Sequence, residues 1–169
     1  MRTNKIFLLL VMITTFSCTA QSPADSMAIK IILQEEVTAW KNKDAELYSK
    51  HFSNEGTFTN LLGMFFTGHA VFQNKHAEVF KSVFAGTVLQ QQLISMKVAS
   101  EGTIIVETLA SVSGFSSNGP PRGTTLDGQG RLNARLLQVM VKDGIDWKII
   151  AYHNTDIKAG IPIPELLHQ

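Results

Sequence analysis

The fold is decided near the end of the chain by residues 131–155, which read RLNARLLQVMVKDGIDWKIIAYHNT. Asp143-Gly144 is a strong signal for a tight hairpin turn, and the runs on both sides of it are rich in apolar and β-branched residues. We therefore expect antiparallel strands over 131–142 and 146–155. Two earlier runs, 88–99 and 103–113, have the same character. The second half of the chain is therefore predicted to be mostly sheet.

The first half of the chain predicts helices. Ser22 can cap a helix that has Pro23 at its start, and apolar residues then recur at three- and four-residue steps as far as Lys43. Asp44 can cap a short helix over 45–52, short extended segments are expected at 57–61 and 64–66, and a third helix opens at Gly68. This order predicts an α+β domain, with about three N-terminal helices packed on a curved, mostly antiparallel sheet.

A long loop is expected over 114–130, because five glycines and two prolines in this stretch cannot hold a regular strand ladder. Loops of this length are either functional lids or disordered. No repeat and no linker divides the sequence, so residues 22–169 are predicted to form one domain.

Residues 1–21 have the pattern of an export signal, with a basic start, an apolar run at 6–13 and small residues at the end. The apolar run is too short to span a bilayer. Cys18, the only cysteine, resembles the lipidated cysteine of a bacterial lipoprotein, although Thr15 stands where that motif usually has leucine. Lipidation of Cys18 and its removal by cleavage near Ala20 both stay open. We expect the protein in the periplasm or cell envelope of a bacterium.

Charge and motifs exclude several functions. The net charge is +1, with none of the clustered basic residues that a nucleic-acid binder needs. There is no glycine-rich phosphate loop and no nucleophile elbow, so we expect neither a nucleotide cofactor nor a covalent mechanism at a serine. Contact with a membrane is expected only through a lipid anchor.

Several short motifs, in order and spacing, resemble those of the SgcJ/EcaC-type and SnoaL-like families of the nuclear-transport-factor-two-like, or ketosteroid-isomerase-like, superfamily. They are Trp40-Lys-Asn-Lys-Asp44, Glu55-Gly-Thr-Phe-Thr-Asn60, Gly63-Met-Phe-Phe-Thr-Gly68, His76 followed by Phe80, Ala134-Arg135, Trp147-Lys-Ile149 and His153-Asn-Thr155. The resemblance covers residues 28–158. It implies a cone-shaped fold with a partly hollow interior, a small hydrophobic ligand and a homodimer. Because relatives include cyclases, isomerases, dehydratases and non-catalytic domains, it implies no single reaction.

Strand parity suggests which polar groups reach the hollow. Trp147, Ile149, Ala151, His153 and Thr155 share one face of the last strand, and this mostly apolar face is expected to lie under the helices. We therefore expect His153 and His76 to act as general acid and base, with Asn60 holding a carbonyl or its oxyanion. The other residues expected to line the pocket are Trp40, Phe58, Phe65, Phe80, Glu107, Arg135 and Trp147. Parity leaves the side of Arg135 open, and Glu107 could equally face solvent or pair with Arg135.

Other interpretations stay open. Each histidine can instead be a buried ring with both nitrogens hydrogen-bonded. A zinc site built by His69, His76 and His153 is conceivable, but no metal-binding motif supports it, and we expect no metal. At the level of function, an enzyme acting on a hydrophobic carbonyl or polycyclic compound competes with a non-catalytic ligand carrier or dimeric interaction module.

Overall fold

The computed structural model describes residues 22–164, and these form three helices and six strands. The export signal and Cys18 lie outside the described residues and stay predictions. The elements are α1 (Pro23–Asn42), α2 (Ala45–Ser49), β1 (Phe52–Thr59), β2 (Phe65–Thr67), α3 (His69–Val79), β3 (Val88–Ser100), β4 (Thr103–Ser113), β5 (Leu132–Asp143) and β6 (Asp146–Asp156). No helix in this part of the chain is long and apolar enough to cross a membrane.

The strands form one mixed sheet in the order β2-β1-β6-β5-β4-β3. The pairing of β1 with β6 is parallel, and every other neighbouring pair is antiparallel. The Asp143-Gly144 turn joins β5 to β6 as expected, with Gly144 at a φ of 63°. The predicted α+β class and mostly antiparallel sheet are therefore confirmed, and the inner face of the sheet packs against the helices.

Hydrogen bonds fix both ends of α1. At its start the Ser22 side chain accepts from the Asp25 backbone N–H at 3.0 Å, and Asp25 pairs with Lys142 at 2.8 Å. The Trp147 indole N–H also donates to Asp25, at 3.3 Å. At the other end, the Trp40 indole donates to the Thr87 hydroxyl at 3.1 Å, just before β3. The helix therefore runs along the sheet from the β5–β6 turn to the start of β3.

The segment between β4 and β5 is a loop, as its glycines and prolines predict, and it is held in place at Asp127. The Asp127 carboxylate accepts from Arg131 Nε and Asn133 Nδ2, each at 2.8 Å. Burial opposes ionisation of Asp127, but the hydrogen bonds from Arg131 and Asn133 prevail and lower its pKa to about 2. The loop therefore has a defined path, which brings Pro121 to the cavity described next.

Candidate functional site

A β-bulge in β6 decides which side chains face the helices. Met140 pairs with Ile149 and Val139 pairs with Ala151, so Ile150 has no partner in β5. One extra residue reverses the alternation of the strand. Before the bulge Trp147 and Ile149 are buried, whereas after it Tyr152 is buried and His153 is exposed.

The expected orientation of His153 is therefore wrong. Unbroken alternation along the strand would place His153 inside, but the bulge at Ile150 reverses the alternation in the middle of the strand. His153 lies on the outer face of the sheet, beside a groove, and the next residue, Asn154, lines the interior cavity.

The interior cavity has a volume of about 350 Å³ and lies between the helices and the end of the sheet where β1 and β6 finish and β3 begins. Its walls are mainly apolar, with aromatic rings from Trp40, Phe58 and Phe84. None of the described lining residues is a lysine, arginine, aspartate or glutamate. The polar residues that line the cavity are Tyr48, Asn60, His76, Ser82, Gln91, Tyr152 and Asn154.

Two tyrosines meet in the cavity wall. Tyr48 from α2 and Tyr152 from β6 place their hydroxyl oxygens 2.7 Å apart, and both side chains are buried. Burial raises the pKa of both phenols above the ordinary range. One hydroxyl donates to the other, and the second proton has no acceptor among the described residues. The pair can therefore offer one O–H to a bound molecule.

His76 is an uncharged acceptor beside this pair. Its Nδ1 lies 2.8 Å from the Phe72 carbonyl, which can only accept, so Nδ1 carries the proton. Its ring centre lies 4.4 Å from that of Tyr48. Burial lowers the pKa of His76 to about 4, against the opposing effect of the Phe72 hydrogen bond. At neutral pH the ring is therefore neutral, and Nε2 has a lone pair and no partner in residues 22–164.

A buried carboxylate lies next to the cavity. Glu36 of α1 is 3% exposed, and its two oxygens accept from Gln138 Nε2 at 2.7 Å and from Gln91 Nε2 at 3.0 Å. Burial raises the pKa of Glu36 to about 7, although both glutamine hydrogen bonds oppose the shift, and no cation pairs with it in the described chain. The Oε1 atoms of both glutamines are buried without a donor. If Glu36 is protonated, its O–H can donate to one of these two oxygens once the side-chain amide of that glutamine rotates.

The predicted site residues are divided between the two faces of the sheet. Trp40, Phe58, Asn60 and His76 line the cavity. Phe80 is buried against Trp40, with ring centres 5.3 Å apart, in the core beside it.

Asn60 lines the cavity and stabilises the turn between β1 and β2. Its Oδ1 accepts from the backbone N–H groups of Leu62 and Met64, both at 3.0 Å. That oxygen is therefore committed to the β1–β2 turn, and only the amide nitrogen of Asn60 is left for a ligand.

Four further residues were expected in the pocket and lie elsewhere. Glu107 and Arg135 alternate outward on β4 and β5 and border the outer groove with His153. Phe65 is 64% exposed, because Phe66 takes the inward position on β2 and packs on Phe58. Trp147 is buried at the far end of the sheet, where it binds Asp25.

The three histidines considered for zinc are not brought together. His76 lies in the interior and His153 on the outer face of the sheet, and residues 22–164 contain no group of three metal-ligating side chains.

Comparison with solved structures supports the fold. No family model matches the chain, and neither does any curated protein. Similar solved structures include a domain of unknown function with a cystatin-like fold from Nostoc punctiforme, with a TM-score of 0.69 and 18% identity over 87% of this chain and 84% of that one. A candidate scytalone dehydratase from Novosphingobium aromaticivorans gives 0.64 and 16%, over 79% and 84%. An NTF-2-like protein from Shewanella oneidensis gives 0.63 and 13%, over 78% and 98%.

Proposed function

We propose that this chain, which has the nuclear-transport-factor-two-like, cystatin-like fold, is a pocket protein that binds a neutral, largely apolar carbonyl compound. The observation that carries the proposal is the Tyr48–Tyr152 pair in the wall of an apolar cavity. A buried hydroxyl proton without an acceptor is costly, so a ligand that supplies one is favoured. A carbonyl oxygen is the simplest such acceptor.

The size and charge of the cavity narrow the class of ligand. A volume of about 350 Å³ is at the lower end of small-molecule sites. No cation lines the cavity among the described residues, and the Glu36 carboxyl lies behind Gln91. An anionic head group would find no counter-charge there, and would be repelled by Glu36 when that residue is ionised. The rings of Trp40 and Phe58 suit a flat, uncharged skeleton.

The proposal includes acid–base chemistry on the bound compound. His76 would act as the general base, because His76 lines the cavity and His153 does not. The phenol pair would polarise the carbonyl, and the free Nε2 of His76 would accept a proton from the neighbouring carbon. The likeness to a candidate scytalone dehydratase supports an enzyme of this general kind. A ligand carrier would use the same contacts without proton transfer.

A naphthyl ketone tests the binding site. We expect 2-acetylnaphthalene to bind, and the double substitution Tyr48→Phe with Tyr152→Phe to weaken binding roughly five- to tenfold, because one net hydrogen bond is lost. The affinity of 2-ethylnaphthalene, which lacks the oxygen, should stay the same. Isothermal titration calorimetry measures both.

Two further readings complete this test. Ala134→Phe, which places a ring in the cavity wall, should abolish binding of both compounds. Equal losses for ketone and hydrocarbon in the double tyrosine variant would disprove the role of the hydroxyl pair. Exchange of the ketone methyl protons in D₂O, slowed by His76→Asn, would identify an enzyme, and binding without exchange would identify a carrier.

The outer face of the sheet favours a second role, in self-association. Ile94, Leu137 and Ala151 border an open groove of about 630 Å³ together with Glu107, Arg135 and His153. A patch with apolar side chains and both signs of charge can be self-complementary about a two-fold axis. We propose that two copies of the chain pair through this face.

Light scattering at micromolar concentration tests the pairing. We expect a dimer for the native sequence and a folded monomer for Leu137→Asp, since a buried carboxylate would be unpaired at the interface. Val88→Asp, which changes an exposed apolar residue outside the groove, serves as the control and should remain a dimer. A monomeric native protein would exclude this role.

A further inference from the structure

The turn between β1 and β2 holds large apolar side chains out in solvent. Leu62, Met64 and Phe65, here named the hairpin tip, are 50%, 48% and 64% exposed. The turn has a defined conformation, in which Asn60 binds the backbone of residues 62 and 64 and Gly63 adopts a φ of 79°. Turn positions usually carry polar residues. The apolar residues of the hairpin tip are therefore unusual for a turn, and exposed apolar clusters of this kind mark interaction surfaces.

The hairpin tip lies at the mouth of the cavity. Leu62 and Met64 line the cavity, as does Pro121 of the loop between β4 and β5. That loop reaches the tip, since a Cβ placed on Gly123 would lie 3.8 Å from Leu62 Cδ2. The far end of the sheet, at the β5–β6 turn, holds the start of α1. The apolar tip and the cavity mouth therefore face the same way.

The segments around the mouth carry basic residues and no acidic ones. Residues 56–77, 108–126 and 157–164 contain no aspartate or glutamate. These segments carry three cations: Lys75 lies 5.6 Å from the Phe66 ring centre, Lys158 donates to the Gly123 carbonyl at 2.9 Å, and Arg122 is exposed between Pro121 and Gly123. Lys75 and Lys158 also pair with acidic side chains, whereas Arg122 makes no ion pair in residues 22–164. The opposite end of the sheet exposes Glu101, Asp143 and Asp146.

We propose that the hairpin tip docks the protein on an anionic lipid surface, with the cavity mouth toward the bilayer. Leu62, Met64 and Phe65 enter the boundary between head groups and acyl chains, and Arg122 lies at the level of the lipid phosphates. Apolar insertion and attraction of basic residues to anionic lipid act together in such binding. An apolar turn flanked by basic residues, in a segment without carboxylates, is complementary to an anionic lipid surface. The docking does not depend on the ligand proposed above.

Site-directed fluorescence tests the docking on the full chain. Cys18→Ser gives a background without cysteine and without a lipid anchor, into which Phe65→Cys or Ile145→Cys is introduced and labelled with bimane. Ile145 is the matched control, because it is 93% exposed at the opposite end of the sheet. We expect brominated vesicles of phosphatidylcholine and phosphatidylglycerol to quench the label at 65 and not the label at 145.

Charge dependence completes the test. Arg122→Glu should reduce the vesicle affinity more than fivefold, and 1 M salt should weaken the binding, because the loss of one basic residue near an anionic surface alone costs about 1 kcal/mol at low salt, a factor of about five. Quenching at 145 equal to that at 65 would show binding by another part of the chain, such as residues 6–13. No quenching at 65, with or without phosphatidylglycerol, would also overturn the proposal, and capture of a protein partner by the tip would then be the alternative.

Discussion

Replacing Glu36 with glutamine is expected to raise the free energy of unfolding at pH 8 by about 3 kcal/mol. Burial raises the pKa of Glu36 from its ordinary value of 4.5 to about 7. At pH 8 the folded protein must therefore hold an ionised carboxylate that accepts from Gln91 and Gln138, with no cation in residues 22–164 to offset the lost hydration. A glutamine carries no charge, and its amide can donate to one of the two glutamine oxygens that are buried without a donor.

The stability gained by Glu36→Gln is expected to depend on pH. A carboxyl whose pKa is raised on folding stabilises the fold below its unfolded value, and that stability is lost as pH rises from 4.5 through 7. Urea unfolding at pH 5 and pH 8 should therefore show a gain for Glu36→Gln that is larger at pH 8. Glu46→Gln, at an exposed carboxylate on α2, is the matched control and should change neither value. A variant less stable than the native protein at pH 8 would mean that the cluster needs the charge.

Most of the fold follows from local signals in the sequence. Ser22, Pro23 and the spacing of apolar residues define α1 because capping and helical periodicity act within a few residues. Asp143-Gly144 fixes the β5–β6 hairpin for the same reason. The glycines and prolines of 114–130 exclude a strand wherever that segment is placed. These elements could be predicted because each is decided by its own neighbours in the chain.

The candidate site could be predicted only in part. The bulged residue Ile150 changes which side chains of β6 face the cavity, and no local sequence pattern marks it. The bulge at Ile150 exists where β6 is paired with β5 on one side and with β1 on the other, and the β1 register shifts at the same level. Such a shift depends on strands that are distant in sequence. Parity therefore assigned His153 to the interior, where Tyr152 and Asn154 lie.

One signal for the site was present in the sequence. Glu36 stands between Leu33 and Trp40, on the apolar face of α1, which a helical wheel would place inside. A carboxyl in that position predicts a buried titratable group. Its glutamine partners could not be foreseen, because Gln91 and Gln138 come from strands 55 and 102 residues away.

Replacing His76 with asparagine should produce a pH dependence of stability opposite to that of Glu36→Gln. Burial lowers the pKa of His76 from its ordinary value of 6.5 to about 4, so its contribution is present above pH 6.5 and is lost as pH falls through 4. Glu36 acts in the opposite direction over an overlapping range. Between pH 4.5 and 6.5 the two contributions therefore cancel in the native protein.

Each single variant removes one side of this balance. His76→Asn keeps a donor for the Phe72 carbonyl, and its free energy of unfolding should fall by about 1.4 kcal/mol per pH unit across the window as Glu36 ionises, whereas Glu36→Gln should rise by a similar slope. Asp127 and Glu35 do not interfere, because their lowered pKa values place their titration below the window. The variant that carries both changes should be flat in urea unfolding from pH 4.5 to 6.5. Parallel profiles for the two single variants would show that the two buried groups do not titrate as opposing partners, since only groups shifted in opposite directions give slopes of opposite sign.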